Sequence, residues 1–139
     1  MTWKKVLLTA DELPVLTLKF GAEGSTTTST SYVTIADSDI AIDPSIFKRN
    51  DKLYVRFIYH AKNTTSGQTT YIRVYRQNAG NAVTGSEKSV TGTSWAILDT
   101  GWIDWSSESG AESYQIQMKV TGGTGEYNSA IMILSYINF

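Results

Sequence analysis

Between Lys52 and Lys62 the chain alternates in side-chain character without a break. Leu53, Val55, Phe57, Tyr59 and Ala61 fall on one side, and Tyr54, Arg56, Ile58, His60 and Lys62 on the other. A period of two belongs to a β-strand with one buried face, because successive side chains of a pleated backbone point to opposite faces. Coiled into a helix, the same five apolar residues would be scattered around the whole circumference and could form no stripe. This stretch therefore restricts the chain to folds that cover one face of a sheet.

The same period returns three times. Leu16, Leu18 and Phe20 alternate with Thr17 and Lys19; Ile72 and Val74 with Tyr71, Arg73 and Tyr75; and Tyr114, Ile116, Met118 and Val120 with Gln115, Gln117 and Lys119. Shorter strand candidates lie at Tyr32–Ile35, Lys88–Val90, Trp95–Leu98 and Trp102–Trp105. They are separated by turn-forming clusters at Asn63–Gly67, Asn78–Asn81, Gly85-Ser86, Gly92-Thr93, Gly101, Ser106–Gly110 and Thr121–Gly125. Short strands at roughly 8–12-residue spacing, with little or no helix, predict an all-β chain. We expect an antiparallel β-sandwich of the jelly-roll type with about eight strands.

The last segment, Ala130 to Phe139, breaks the pattern by being apolar on both faces. Such a strand is either central in its sheet and covered on both sides, or has an outer face that meets another subunit. Ile131, Ile133, Ile137 and Phe139 are accordingly candidate subunit contacts. So are Trp3, Val6, Leu7 and Leu8 of the leader, apolar residues with no core partner of their own.

The expected organisation is an N-terminal arm and first strand over 1–23, a Ser/Thr-rich loop or mobile linker over 24–31, and the sandwich over 32–139. In the arm, Thr9-x-x-Glu12 resembles a capping box, but Pro14 follows too soon for a long helix. The 139 residues suit one domain, and without cysteine its stability must come from packing rather than disulfides.

Composition narrows the partners. Acidic and basic residues number 13 and 12 and are scattered, which argues against a nucleic-acid groove or an anionic membrane surface. No apolar run approaches the roughly 20 residues of a bilayer-spanning helix. Val6–Leu8 after Lys4-Lys5 is too short for a signal-peptide core, so synthesis without a secretory signal is expected.

Candidate chemistry is sparse. His60 is the single histidine and there is no cysteine nucleophile, so no enzyme is expected. Asp99, Asp104 and Glu108 near three tryptophans could serve as a glycosidase acid/base pair or simply border strands. Asp37, Asp39 and Asp43 place hard oxygen ligands within seven residues. Calcium is the ion they would hold, but the EF-hand pattern is absent and an ordinary solvated turn that breaks before Pro44 is the preferred reading; no cofactor is expected. Trp95, Trp102, Trp105 and Tyr127, with Tyr54, Tyr71 and Tyr75, could stack on sugar rings or fill the core. Asn63-Thr64-Thr65 fits a glycosylation sequon or a plain turn.

The runs Lys52–Phe57 and Tyr71–Tyr75, with Gly85-Ser86-Glu87 and Thr93-Ser94-Trp95, resemble jelly-roll modules of bacteriophage and archaeal-virus structural proteins and of carbohydrate-binding modules. The ending Tyr114–Val120 with Gly122-Gly123 and a closing apolar strand shares that resemblance, which spans residues 50–139. Trp3-Lys4-Lys5-Val6-Leu7 is similar to the start of several phage tail proteins. The resemblance implies a virion building block, commonly trimeric, such as a capsid decoration protein, a tail or fibre component, or a host-surface binder. Its partners would be copies of itself, other virion proteins and a glycan; its location would be the virion, after synthesis in the host cytoplasm.

Overall fold

The structure is a computed structural model that describes residues 15–138. Trp3, Val6, Leu7, Leu8, the Thr9/Glu12 pair and Phe139 lie outside the described residues. Two six-stranded antiparallel sheets face one another. The front sheet holds β1 (Leu16–Lys19), β2 (Thr26–Thr27), β5 (Tyr54–Asn63), β9 (Ala96–Asp99), β10 (Ile103–Asp104) and β12 (Gly125–Ser135). The back sheet holds β3 (Val33–Thr34), β4 (Ile40–Ile42), β6 (Thr69–Arg76), β7 (Asn81–Ala82), β8 (Lys88–Thr91) and β11 (Glu112–Val120). A single 3-10 turn at Pro44–Phe47 is the helical element among the described residues, capped by the Asp43 carboxylate on the Ser45 N–H.

The predicted eight strands are present as eight ladder positions. Each sheet has two long central strands, β12 and β5 in front and β11 and β6 behind. The outer positions are each split in two: β1 and β2 pair with β12, β9 and β10 with β5, β3 and β4 with β11, and β7 and β8 with β6. This is the jelly-roll arrangement. The splits leave central-strand N–H groups without a ladder partner, and side-chain hydroxyls, those of Ser38 and Ser86 buried, take over three of them. Ser38 Oγ accepts from Ile116 N (3.0 Å), Ser86 Oγ from Val74 N (3.1 Å) and Thr100 Oγ1 from Phe57 N (3.0 Å). Each hydroxyl also donates to a carbonyl of its own loop, so the breaks leave no buried donor stranded. Gly101, with φ of 69°, makes the expected bend between β9 and β10 in the left-handed region that a side chain disfavours.

Alternation decides what goes inside. Val55, Phe57, Tyr59 and Ala61 of β5, Ile72 and Val74 of β6, Tyr114, Ile116 and Met118 of β11, and Met132 and Leu134 of β12 are fully or almost fully buried between the sheets. β12 is central, flanked by β1 and β5, with Ala130, Met132 and Leu134 buried in the core and Ile131 and Ile133 on the opposite, outer face. Segment 24–31, expected as a loop, carries β2. Thr27 pairs with Gly125 and is buried, and the Ser29 carbonyl accepts from Val120 N at 2.9 Å. Backbone hydrogen bonds anchor this polar tract where apolar side chains are missing.

Candidate functional site

The outer surface of the front sheet carries the unexplained chemistry. β5 turns Arg56, Ile58, His60 and Lys62 outward; β12 adds Ile131 and Ile133, and β9 adds Ile97 and Asp99. The pairings place Ile131 opposite Ile58, Ile133 opposite Arg56, and Ile97 opposite His60, so the isoleucines form a continuous patch. Ile97 is 75% exposed.

At one end of the patch Trp95 is 42% exposed. Its ring centroid lies 4.8 Å from that of His60 at 36°, and the Lys62 ammonium stands 5.0 Å from the indole centroid. A β-bulge sits beside them. Tyr127 and Ala130 must both point into the core although they are three residues apart, and the register shift between Tyr127 and Ser129 absorbs the extra residue. Asn128 is thereby left on the surface with its Nδ2 3.3 Å from His60 Nδ1. Ile58, Tyr59, His60, Ile97, Ser129 and Ile131 line a shallow depression of ≈ 240 Å³.

Charges on this face are paired. Arg56 Nε donates to Asp99 Oδ1 at 2.8 Å, its Nη2 donates to Oδ2, and its guanidinium lies 5.9 Å from the centre of the Trp102 ring. The hydrogen bond from Arg56 holds the Asp99 carboxyl below the usual carboxylate range, with the Gly101 N–H helping. Lys62 pairs with Glu126 at 3.6 Å.

The sugar-stacking candidates divide. Trp95 and Trp102 belong to this face. Trp105 and Tyr127 do not: both are buried, so neither ring face can meet a ligand. Trp105 meets Phe57 edge-on at 6.2 Å and Tyr114 at 5.1 Å, and the Tyr127 hydroxyl donates to the Gly21 carbonyl. Tyr71 and Tyr75 lie on the back sheet among Arg73 and Lys119.

The carboxylates do not converge. Asp99 belongs to the front sheet, Asp104 accepts from Ser106 N at 2.9 Å, and Glu108 pairs with Arg76 of the back sheet at 2.7 Å. The hydrogen bond from the Ser106 side chain, then that from its backbone, lowers the Asp104 carboxyl, so neither it nor Asp99 is tuned as a proton donor. Asp37, Asp39 and Asp43 are likewise dispersed. Asp39 accepts from Ser113 Oγ and Gln115 Nε2, Asp43 from Ser45 and Gly110, and Asp37 sits in a left-handed turn. No group of three acidic, histidine or cysteine side chains suited to a metal occurs among the described residues, so the calcium expectation finds no assembled ligand set. Asn63 is buried with its amide on Thr70 Oγ1 and the Gly122 carbonyl, which makes the sequon a structural turn.

Of the subunit-contact candidates, Ile131 and Ile133 are half-buried on the front outer face, and Ile137 is 41% exposed near the end of the described residues. The site residues that sequence reasoning missed are His60 as a partner of Trp95, Ile97, and the Asn128-Ser129 bulge. The polar pair between Tyr127 and Ala130, interrupting the alternation, is the signal that could have revealed the bulge.

No family model matches the chain, and no curated protein matches it in sequence. Solved structures do share its fold. Infectious bursal disease virus, Gt strain, superposes with a TM-score of 0.56 at 11% identity, over 98% of this chain and 36% of that one. The VP2 subviral particle of infectious bursal disease virus gives 0.52 at 10% identity, over 87% and 32%. A carbohydrate-binding module from Cellvibrio mixtus lichenase 5A, in complex with cellotriose, gives 0.45 at 10% identity over 86% and 97%. The chain spans about a third of the length of the virus proteins it matches. The resemblance to viral jelly rolls drawn from strand pattern returns in the virus neighbours, and at such identities it defines the fold: an antiparallel jelly-roll sandwich.

Proposed function

We propose that this chain is a non-catalytic structural building block of a virion that assembles with copies of itself and with other virion proteins. One observation carries the reading: the front sheet turns Ile58, Ile131 and Ile133 outward as one patch, which a second protein surface would bury. β1 begins beside the Ile133 end of this patch, where Leu16 pairs with Leu134 and Val15 is 39% exposed. The leader carrying Trp3, Val6, Leu7 and Leu8 therefore joins the sandwich next to the surface it would help to cover. Jelly-roll likeness to VP2 of a subviral particle supports the same role, in a capsid decoration, tail or fibre position. Net charge of −1 suits protein rather than nucleic-acid partners.

A trimer is the assembly we expect, by analogy with virion jelly rolls. Light scattering on the full chain across a concentration series tests it. The expected mass is about 46 kDa, three times the 15.3 kDa chain; a mass of one chain at every concentration would overturn the proposal.

A further inference from the structure

We propose that the bulged end of the front outer face is a saccharide site that takes one neutral hexopyranose ring, with Trp95 as its platform and His60, Asn128 and Ser129 as its polar partners. The site lies toward the Asn63 end of β5, whereas Ile133 and Ile137 lie toward the Tyr54 end, so occupation by sugar and contact between subunits use different ends of one face.

Four observations converge. Trp95 is 42% exposed and Ile97 beside it is 75% exposed, giving a flat π surface and an aliphatic one in the open. The C–H face of a pyranose matches such a surface, while its rim of hydroxyls needs hydrogen-bonding partners close by. Those partners are present: Asn128 Nδ2 lies 3.3 Å from His60 Nδ1, the imidazole carries a second ring nitrogen that can donate or accept, and the bulge brings Asn128 and Ser129 to the same place. The depression of ≈ 240 Å³ that adjoins Trp95, with His60, Ile97 and Ser129 in its lining, is smaller than the roughly 300–1,000 Å³ of sites for drug-sized ligands, which suits a single ring better than a peptide segment.

Charge selects the class of sugar. Lys62 is paired with Glu126 and Arg56 with Asp99, so the site offers no unpaired cation to hold a carboxylate or sulfate and no unpaired anion to hold an amine. A neutral hexose fits this balance. A monosaccharide with so few contacts should bind with a dissociation constant on the order of 1 mM.

The test is a titration of the full-length chain, labelled with nitrogen-15, with methyl β-D-galactopyranoside and separately with methyl β-D-glucopyranoside, followed by amide and indole resonances. Saturable shifts at the Trp95 indole and at Ile97, Asn128 and Ser129 are expected with at least one glycoside. Trp95→Ala should weaken that binding about tenfold or more, and Tyr71→Ala on the back sheet should leave it unchanged. If Trp95→Ala loses its dispersed spectrum, Ile97→Asp carries the same prediction. Absence of saturable shifts with both glycosides, or wild-type affinity in the Trp95 and Ile97 variants, would overturn the site. The readout is independent of chain mass, so it can fail while the assembly proposal stands.

Discussion

The two sheets present opposite solutions to the same problem, an outer face that the core does not use. On the back sheet Arg73 lies 3.7 Å from the centre of the Tyr32 ring, and Lys119 lies 4.7 Å from that ring and 5.0 Å from the Tyr71 ring. Arg73 Nε also donates to Gln117 Oε1, Gln117 Nε2 to Thr34 Oγ1, and Gln115 Nε2 to Asp39 Oδ1. That face is a mesh of cations over aromatic rings and of paired polar side chains. The front sheet instead turns isoleucines outward along β5, β9 and β12, interrupted by the Arg56–Asp99 ion pair and flanked by indoles. A mesh closed on itself gives little to a partner, whereas an apolar patch gains free energy when one covers it, at roughly 25 cal/mol per Å² of apolar surface removed from water.

The largest expected effect separates the inside of the front sheet from its outside. Phe57→Ala empties a fully buried site between the sheets and should cost about 3–5 kcal/mol, whereas Ile58→Ala, one residue on and facing outward, should cost about 1 kcal/mol. Urea unfolding of the two variants would measure this gap, and near-equal losses would mean that the outer face is as tightly packed as the core.

An intermediate effect belongs to the back sheet. Burial pushes the Glu112 carboxyl up, but the N–H groups of Asn78, Ser113 and Ala79, aided by Arg76, outweigh it and hold the group below its ordinary value. A carboxyl lowered on folding stabilises fully above its unfolded pKa, near 4.5, and that contribution is lost as pH falls through the folded value. Glu112→Gln should therefore cost about 1–3 kcal/mol at pH 7, and its stability should decline less than that of the wild type between pH 5 and acid. Denaturation at a series of pH values checks both statements.

The smallest effect is expected where the front face is most open. Ile97→Ser should leave stability within about 0.5 kcal/mol, because most of the side chain already meets water. A larger loss in thermal unfolding would show that Ile97 is covered within the chain itself.

Much of the fold was legible because it depends on a local period. Residues 53–61, 72–74 and 114–120 alternate, and Leu53, Val55, Phe57, Tyr59, Ala61, Ile72, Val74, Tyr114, Ile116, Met118 and Val120 are the buried members. The two-faced character of β12 offered a central position or an outer face meeting another subunit, and the strand is central, between β1 and β5. What was not legible depends on contacts far along the chain. Ser38, Ser86 and Thr100 read as ordinary loop residues, yet they replace ladder bonds to strands 78, 12 and 43 residues away and so permit the outer positions to split. The candidate site was half legible for a related reason. Indole and phenol side chains look alike in sequence whether they end inside, as Trp105 and Tyr127 do, or outside, as Trp95 does. Only the neighbours across the sheet decide, and Trp95 packs its ring against the outward His60.

The contrast between the faces is tested most directly by light scattering on two paired variants. One is Ile131→Asp with Ile133→Asp on the front face; the other is Ser89→Asp with Thr91→Asp on the back sheet. The front pair should reduce the particle to a single folded chain while the back pair keeps the wild-type mass. A multimer that survives the front substitutions, or dissolves equally with both, would contradict the assignment of assembly to the isoleucine face.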